Sequence, residues 1–195
     1  LTVFGEPEDR VKNLLSYFFE KNVDINLIKG VAYLDKNSKM KFNEKSPFSK
    51  DLDNFSFPYW EKFPLDGYWI VNYAHAPCKK NKKFLPIITS RGCPYRCTFC
   101  IAPITNPTWR ARSPKNVVDE IEYFYNKMNI TDFHVSDLDP TVYEKRTIEL
   151  CNEILKRNLK ITWKLAQGTK IETIKSEKTL ELMKKSGCDF ISFSP

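Results

Sequence analysis

The sequence lacks any run of roughly 18 consecutive apolar residues, which is the length that a membrane-spanning helix requires. It also lacks, at its start, the basic segment followed by an apolar stretch that marks a secretory signal peptide. These two absences predict a protein without a membrane span and favour a cytoplasmic location.

An initiating methionine is also missing. The chain begins at Leu1, and the first methionine is Met40. We therefore expect that translation does not begin at Leu1. The 195 residues are 42% hydrophobic and 28% charged, a composition that can bury a core and is unlike that of disordered chains.

Basic residues outnumber acidic ones, 31 to 24, for a net charge of +7. Part of the excess lies in one run, Lys79, Lys80, Lys82 and Lys83. Such a run can contact phosphate or nucleic acid, but it is more often a solvated loop. No nucleic-acid motif accompanies it, so we do not expect nucleic acid as a partner.

The six cysteines are unevenly distributed. Three lie within eight positions, whereas the other three, Cys78, Cys151 and Cys188, are scattered. Without a secretion signal a reducing compartment is expected, where clustered thiols indicate a metal site or catalysis rather than a disulfide framework.

Strand and helix patterns alternate from position 85 onward, and the later strands recur about every 28 residues, the length of one strand–helix unit. This order predicts an α/β fold with a parallel sheet and right-handed crossovers. The predicted elements are strands at Leu85–Thr89, Asp132–Ser136, Leu159–Leu165 and Asp189–Phe193, with helices around 114–128, 147–155 and 180–186. The longer first interval holds the clustered cysteines, after the first strand, where α/β folds place their active sites.

The first half of the chain is organised differently. A strand at Leu1–Phe4, a helix over 8–21 and a hairpin formed by Leu27–Leu34 and Met40–Phe42 are predicted. A segment rich in proline and aromatic residues follows and predicts a linker that packs over a neighbouring domain. The expected domain boundaries are 1–46, 47–84 and 85–195.

The clustered cysteines are Cys93, Cys97 and Cys100, with the spacing Cys-x3-Cys-x2-Cys. Three thiolates can hold three irons of a cubic iron–sulfur cluster, which normally has four cysteine ligands. The iron left open signals chemistry rather than a structural role. The alternative is a zinc-stabilised binding module with His75 or Cys78 as fourth ligand, although zinc ribbons favour two Cys-x2-Cys pairs and only one is present.

This loop resembles the signature of the radical S-adenosylmethionine (radical SAM) superfamily, whose motif carries an aromatic residue, here Phe99, just before the last cysteine. The resemblance implies a 4Fe–4S cluster whose open iron binds S-adenosylmethionine. It also implies one-electron cleavage to a 5′-deoxyadenosyl radical that abstracts hydrogen from an organic substrate. The resemblance further implies an electron donor such as a flavodoxin or ferredoxin.

Several segments further resemble the group of this superfamily that carries an N-terminal cobalamin-binding domain: 3–8, 28–33, 51–58, 112–114 and 117–121. This implies possible cobalamin-dependent methylation. The group's cobalamin motif, Asp-x-His-x-x-Gly, does not occur here and would lie before Leu1.

The resemblance also suggests contacts with S-adenosylmethionine. Asp137, at the end of the second strand, is the best match for the acidic residue near the methionyl amine, and Asp139 is the second choice. Alternatively, one of them only begins the next helix. Gln167 is a further candidate, and Lys164 and Lys170 could also point toward cofactor or substrate.

The expected architecture is therefore the first half of a partial (β/α) radical SAM barrel, preceded by the C-terminal tail of a Rossmann-like cobalamin-binding domain. The family barrel has six strand–helix units, and three units plus a fourth strand fit here. We expect the chain to be a fragment of a longer protein.

Overall fold

The computed structural model describes residues 1–72, 74, 76–78 and 82–194. These residues form two compact units, Leu1–Lys50 and Asp51–Pro195. His75, Lys79 and Lys80, which entered the predictions above, lie outside the described residues.

The first unit contains a three-stranded antiparallel sheet, formed by β1 (Thr2–Val3), β2 (Val31–Leu34) and β3 (Met40–Phe42) in that order. The predicted hairpin is confirmed, with Leu34 opposite Met40. Its first strand begins at Val31 and is shorter than predicted. Ile25–Leu27 forms a 3₁₀ turn capped by the side chain of Asp24, and Gly30, directly before the strand, has a φ of +69°.

The helix of this unit, α1 (Glu8–Leu15), continues as a π-helical turn, Ser16–Glu20, and ends where Lys21 adopts a left-handed conformation. Arg10 on α1 is buried and donates hydrogen bonds to three carbonyls, those of Phe4, Glu6 and Gly30. Charge-assisted bonds of this kind compensate a buried guanidinium, so Arg10 ties the helix to the loops beside the sheet.

The strands of the second unit are β4 (Phe84–Ile87), β5 (Ser90–Arg91), β6 (Arg110–Ala111), β7 (Asp132–Val135), β8 (Thr162–Lys170) and β9 (Cys188–Ser194). Four of them form a parallel sheet, as the sequence pattern predicts, in the order β4-β7-β8-β9. A short antiparallel ladder, β5 with β6, accompanies it. The helices are α2 (Leu65–Val71), α3 (Ala102–Thr105), α4 (Pro114–Met128), α5 (Glu144–Lys156) and α6 (Glu177–Lys185).

Helix α4 begins as predicted, with Pro114 in its first turn and the hydroxyl of Ser113 accepting from the backbone N–H of Asn116. Every second residue of the strands packs against α4 and α5, and together these residues form one buried core. Its members include Leu85, Ile87, Phe133, Val135, Trp163 and Leu165 from the strands, and Val117, Ile121, Phe124 and Ile154 from the helices. Within the described residues, no helix has the length and apolarity needed to cross a membrane.

Strand β8 is longer than predicted, because it continues from Leu165 to Lys170 beside β9. The register shifts between Leu165 and Thr169, and Gly168 has a φ of +107°. This irregularity interrupts the alternation of side chains, which is why the sequence pattern ends early. Gln167 consequently lies within a strand.

The proline- and aromatic-rich segment packs over β4, an edge strand of the parallel sheet. Trp69 donates from its indole Nε1 to the carbonyl of Phe84 over 2.9 Å, and Phe57 and Trp60 pack against the core. Covering an edge strand in this way prevents it from pairing with another chain.

The strand residues that alternate with the apolar core residues carry charged side chains, and these side chains are also buried. Asp132 accepts hydrogen bonds from Lys164 and, over 2.6 Å, from Thr162, and its second oxygen lies 3.2 Å from His134 Nε2. Lys164 also pairs with Asp189 over 3.2 Å. Burial alone would raise the pKa of Asp132, but the bonds from His134, Lys164 and Thr162 outweigh it and lower the pKa to about 2.

This network predicts that Asp132→Asn will lower the free energy of unfolding at pH 7 by about 3 kcal/mol, since it leaves buried Lys164 with one fewer carboxylate. A lowered pKa means that the contribution of Asp132 is complete above its ordinary pKa, 3.8, and is lost as the pH falls toward about 2. Urea unfolding at pH 7 and at several values below 4 should show the two proteins converging. Equal stability at pH 7 would contradict the assignment.

Neighbouring residues of α5 test the position of the core. Ile154 is 1% exposed and Leu155 is 41% exposed. Ile154→Ala should cost about 2–5 kcal/mol of unfolding free energy, because it leaves a cavity. Leu155→Ala, the matched control, should cost less than about 1 kcal/mol in the same urea titration. Similar losses would mean that the helix faces another way.

Candidate functional site

The three clustered cysteines lie on a loop that is closed at its base. Ser90 and Arg91 of β5 pair with Ala111 and Arg110 of β6, directly before and after the loop. Inside this ladder, the backbone N–H of Cys93 donates to the carbonyl of Asn106 over 3.1 Å. The loop therefore leaves and returns at one place, beyond the carboxyl end of β4.

Gly92 is the residue that allows this closure. Its φ is +80°, and a Cβ atom there would lie 2.1 Å from the carbonyl oxygen of Thr108. Both the left-handed conformation and the close approach favour glycine. Backbone geometry thus requires glycine directly before the first cysteine.

The thiols of Cys93, Cys97 and Cys100 are all free, and that of Cys100 is the most exposed. The backbone N–H of Cys100 donates to the carbonyl of Cys97, which forms a tight turn, and the N–H of Ala102 points at Cys100 Sγ over 3.4 Å. Burial raises the pKa of the Cys93 thiol, and the negative charges of Asp139, Cys100 and Cys97 add to this effect.

This donor set fits an iron–sulfur cluster. Soft thiolates are its usual ligands, and N–H groups directed at sulfur are a usual way of tuning it. Among the described residues, no group of three or more His, Cys, Asp or Glu side chains is arranged to hold one metal ion, so the three thiols would have to approach one another to bind a cluster. The zinc-stabilised module gains no fourth ligand from this arrangement, and its candidate ligand His75 is outside the described residues.

Phe99, directly before the last cysteine, is 89% exposed. No described neighbour covers most of its ring, so the ring is available to a bound molecule. Its role as a cofactor contact stays a prediction.

Asp137 joins the end of β7 to the start of the cysteine loop. Its carboxylate is buried and accepts from the backbone N–H of Thr89 over 2.7 Å, and from the hydroxyls of Thr89 and Ser90 over 2.6 Å each. Burial raises the pKa of Asp137, opposed by these hydrogen bonds and by the charge of Arg146. Both oxygens are engaged, so the predicted contact with an ammonium group would have to replace or share one of these bonds.

Asp139 joins the segment that follows β7 to the end of β8. Its carboxylate accepts from the hydroxyl of Thr169 over 2.7 Å and from the backbone N–H groups of Thr141 and Lys170 over 3.2 and 3.3 Å. The alternative that Asp137 or Asp139 begins the next helix does not apply to α5, whose N-cap residue is Tyr143.

Gln167 lies elsewhere, on the exposed part of β8, in the wall of a cavity of about 440 Å³. Aromatic side chains form much of this wall, including Trp60, Trp69 and Phe84, and His134 adds a polar group. The three clustered cysteines are not among its described lining residues. The structure thus groups Asp137 and Asp139 with the cysteine loop and leaves Gln167 on a separate cavity.

Three residues that the sequence analysis did not select also hold the loop. Trp109 donates from Nε1 to the carbonyl of Asp139 over 2.8 Å, and Arg146 donates to the carbonyl of Thr89 over 2.9 Å. Tyr95 has the ammonium group of Lys170 4.6 Å from its ring centre. Of these three residues, only Tyr95 could have been noticed in the sequence, because it is the aromatic residue between the first two cysteines.

The sequence of this second unit also matches known proteins. Residues 87–195, more than half of the chain, match the Radical SAM superfamily. The chain belongs to this superfamily. The predicted α/β class and partial radical SAM barrel are therefore confirmed.

Individual relatives are longer than this chain. An anaerobic magnesium-protoporphyrin IX monomethyl ester cyclase from Rubrivivax gelatinosus is 31% identical over 97% of the chain, which covers 33% of that protein. The chain thus spans about a third of the length of this relative.

Two solved structures share the fold over 95% of the chain. One is the radical S-adenosylmethionine methyltransferase TsrM from Kitasatospora setae, with tryptophan substrate and a SAM analogue bound, at 17% identity and a TM-score of 0.72, with 35% of that protein covered. The other is the cobalamin-dependent S-adenosylmethionine radical enzyme OxsB, with aqua-cobalamin and S-adenosylmethionine bound, at 21% identity and a TM-score of 0.66, with 26% covered.

The geometry of the loop predicts that Gly92→Ala will lower the free energy of unfolding by about 2 kcal/mol or more, because the new methyl group meets a backbone carbonyl. Gly67→Ala is the matched control, since Gly67 lies in α2 with nothing within 4 Å of the added carbon. That change should stabilise by about 0.5–1 kcal/mol. Equal effects in urea unfolding would contradict the closed loop.

Proposed function

We propose that this chain is the cofactor-binding part of a radical SAM enzyme, in which Cys93, Cys97 and Cys100 hold a 4Fe–4S cluster. One observation carries the proposal. Three free thiols lie on a loop closed at its base, beyond the carboxyl end of the first strand of a parallel sheet that has the superfamily's fold.

When bound, the cluster and S-adenosylmethionine supply one-electron cleavage of the sulfonium and a 5′-deoxyadenosyl radical that abstracts hydrogen from an organic substrate. The chain's own residues bind and orient these groups. Three cysteine ligands leave one coordination position of a cubic cluster for a further ligand, which suits chemistry rather than a structural role.

Other residues position the bound groups. The exposed ring of Phe99 offers a surface for S-adenosylmethionine beside Cys100. Asp137 fixes the start of the cysteine loop beside β7, and Asp139 fixes the segment after β7 beside β8, through their buried hydrogen bonds. A contact from either carboxylate to the methionyl ammonium is a secondary proposal. Gln167 is proposed to contact substrate or cofactor through the aromatic-walled cavity.

We propose further that the full-length protein uses cobalamin, for methyl transfer to an unactivated carbon. The shared fold with one cobalamin-dependent enzyme and one methyltransferase supports this, and the fold likeness covers nearly the whole chain. The relative named as a cyclase makes ring formation the second candidate. The proposed boundaries remain 1–46 for the end of the cobalamin domain, 47–84 for the linker and 85–195 for the radical SAM core.

A reduced cluster requires an electron donor, for which a flavodoxin or ferredoxin is proposed, and a reducing compartment, for which the cytoplasm is proposed. Both follow from the chemistry of a low-potential iron–sulfur site.

The test is anaerobic reconstitution of the chain with iron and sulfide, followed by metal analysis, absorbance and electron paramagnetic resonance. We expect about four irons and four sulfides per chain. Cys97→Ala should lose the cluster, because one of its three thiolate ligands is gone, whereas Cys78→Ala, a cysteine outside the loop, should retain it.

A chain that takes up about one zinc and no labile sulfide would overturn this proposal in favour of a zinc-stabilised module. Loss of iron from Cys78→Ala to the same extent as from Cys97→Ala would also count against the proposed ligand set.

A further inference from the structure

Lys170 stands where the sheet meets the cysteine loop. It is the last residue of β8, and its backbone N–H donates to Asp139 over 3.3 Å. Its ammonium nitrogen lies 4.6 Å from the ring centre of Tyr95, within the range of a cation–π contact. Tyr95 is itself between Cys93 and Cys97, so one side chain of the sheet holds the middle of the proposed ligand segment.

The charge on Lys170 is surrounded by groups of negative or polarisable character. Its ammonium pairs with Glu172, and the side chain is 26% exposed while that of Glu172 is 56% exposed. The hydrogen bond to Glu172 is the largest cause that raises the pKa of Lys170, and the charges of Glu172, Cys97 and Tyr95 act in the same direction. The contact that places this cation beside the loop is the one with Tyr95, which is two residues before Cys97 in the chain.

A cation near an iron–sulfur cluster changes its redox properties in a known direction. Reduction adds a negative charge to the cluster, so a nearby positive charge stabilises the reduced form. Net charge near the cluster is one of the factors that set its reduction potential. Partial burial matters here, because solvent and salt screen a half-buried charge less than an exposed one.

We propose that Lys170 is a positioning residue that holds Tyr95 against the sheet and keeps a positive charge beside the cluster, raising the reduction potential of the cluster. Glu172 acts in the opposite sense, because its carboxylate offsets part of that charge. This inference rests on the proposed function, since it requires that the cluster forms on the three cysteines.

The experiment is a potentiometric titration of the reconstituted chain, followed by electron paramagnetic resonance, without S-adenosylmethionine. Leaving that molecule out removes any effect that Lys170 would have through its binding. The variants are Lys170→Met, which removes the charge, Lys170→Arg, which keeps it, and Glu172→Gln, which removes the opposing charge. Lys156→Met is the matched control, because Lys156 ends α5 and its side chain is 78% exposed.

We expect Lys170→Met to shift the midpoint potential to a more negative value with the iron content unchanged. Lys170→Arg should stay near the wild-type value, Glu172→Gln should shift to a more positive value, and Lys156→Met should not shift. An unchanged potential in Lys170→Met, or an equal shift in Lys156→Met, would overturn the inference.

The two proposals fail in different ways. If the wild-type chain assembles no cluster, the proposed function falls and this inference falls with it. If the cluster assembles normally and Lys170→Met leaves its potential unchanged, only the inference falls. If Lys170→Met does not retain the cluster, the test rests on Glu172→Gln alone. An unchanged midpoint potential in Glu172→Gln would then overturn the role of this charge pair.

Discussion

The buried carboxylate of Asp137 is the interaction on which the geometry of the site depends. It binds Thr89 and Ser90, at the start of β5, through one backbone N–H and two hydroxyls, and so fixes where the cysteine loop starts relative to β7. A buried carboxylate is costly unless its oxygens accept hydrogen bonds, and these three bonds compensate that cost. A buried acid therefore connects two strand ends.

The same logic recurs along the sheet. Asp139 connects the β7 loop to Thr169 and Lys170 at the end of β8, and Arg146 reaches back to the carbonyl of Thr89. Polar side chains thus connect the carboxyl ends of neighbouring strands, β4 with β7 and β7 with β8. Such networks are rigid when each member is satisfied, which is what a site that must hold a reactive cofactor needs.

The parts that sequence could predict are those with short-range signals. The period of strand and helix, the Ser113–Pro114 start of α4 and the spacing of three cysteines are all local patterns, and the structure and the superfamily match agree with the fold they indicate. The engagement of Asp137 by Thr89 and Ser90 was not predictable, because it joins residues 47 and 48 positions apart. The extension of β8 was hidden by the register shift at Gly168.

Other features were invisible for the same reason. Trp109 and Arg146 carry no motif, and their roles arise only when the chain returns to the end of β4. Lys170 could be noticed as a basic residue near the end of a strand, but its partner Tyr95 belongs to another part of the chain. A pattern of residue types cannot specify such pairs before the topology is known.

The ladder between β5 and β6 has a consequence for the thermodynamics of cofactor loading. Bringing the ends of a flexible loop together costs conformational entropy. In a loosely tethered loop, this cost makes the binding free energy of the metal group less favourable. Here the backbone pairing of Ser90 and Arg91 with Ala111 and Arg110 closes the loop through hydrogen bonds of the polypeptide, without any metal–ligand bond. The chain entropy that remains to be lost on binding a cluster is that of the segment inside this ladder. The ladder therefore favours cluster binding by lowering the ordering cost of the loop.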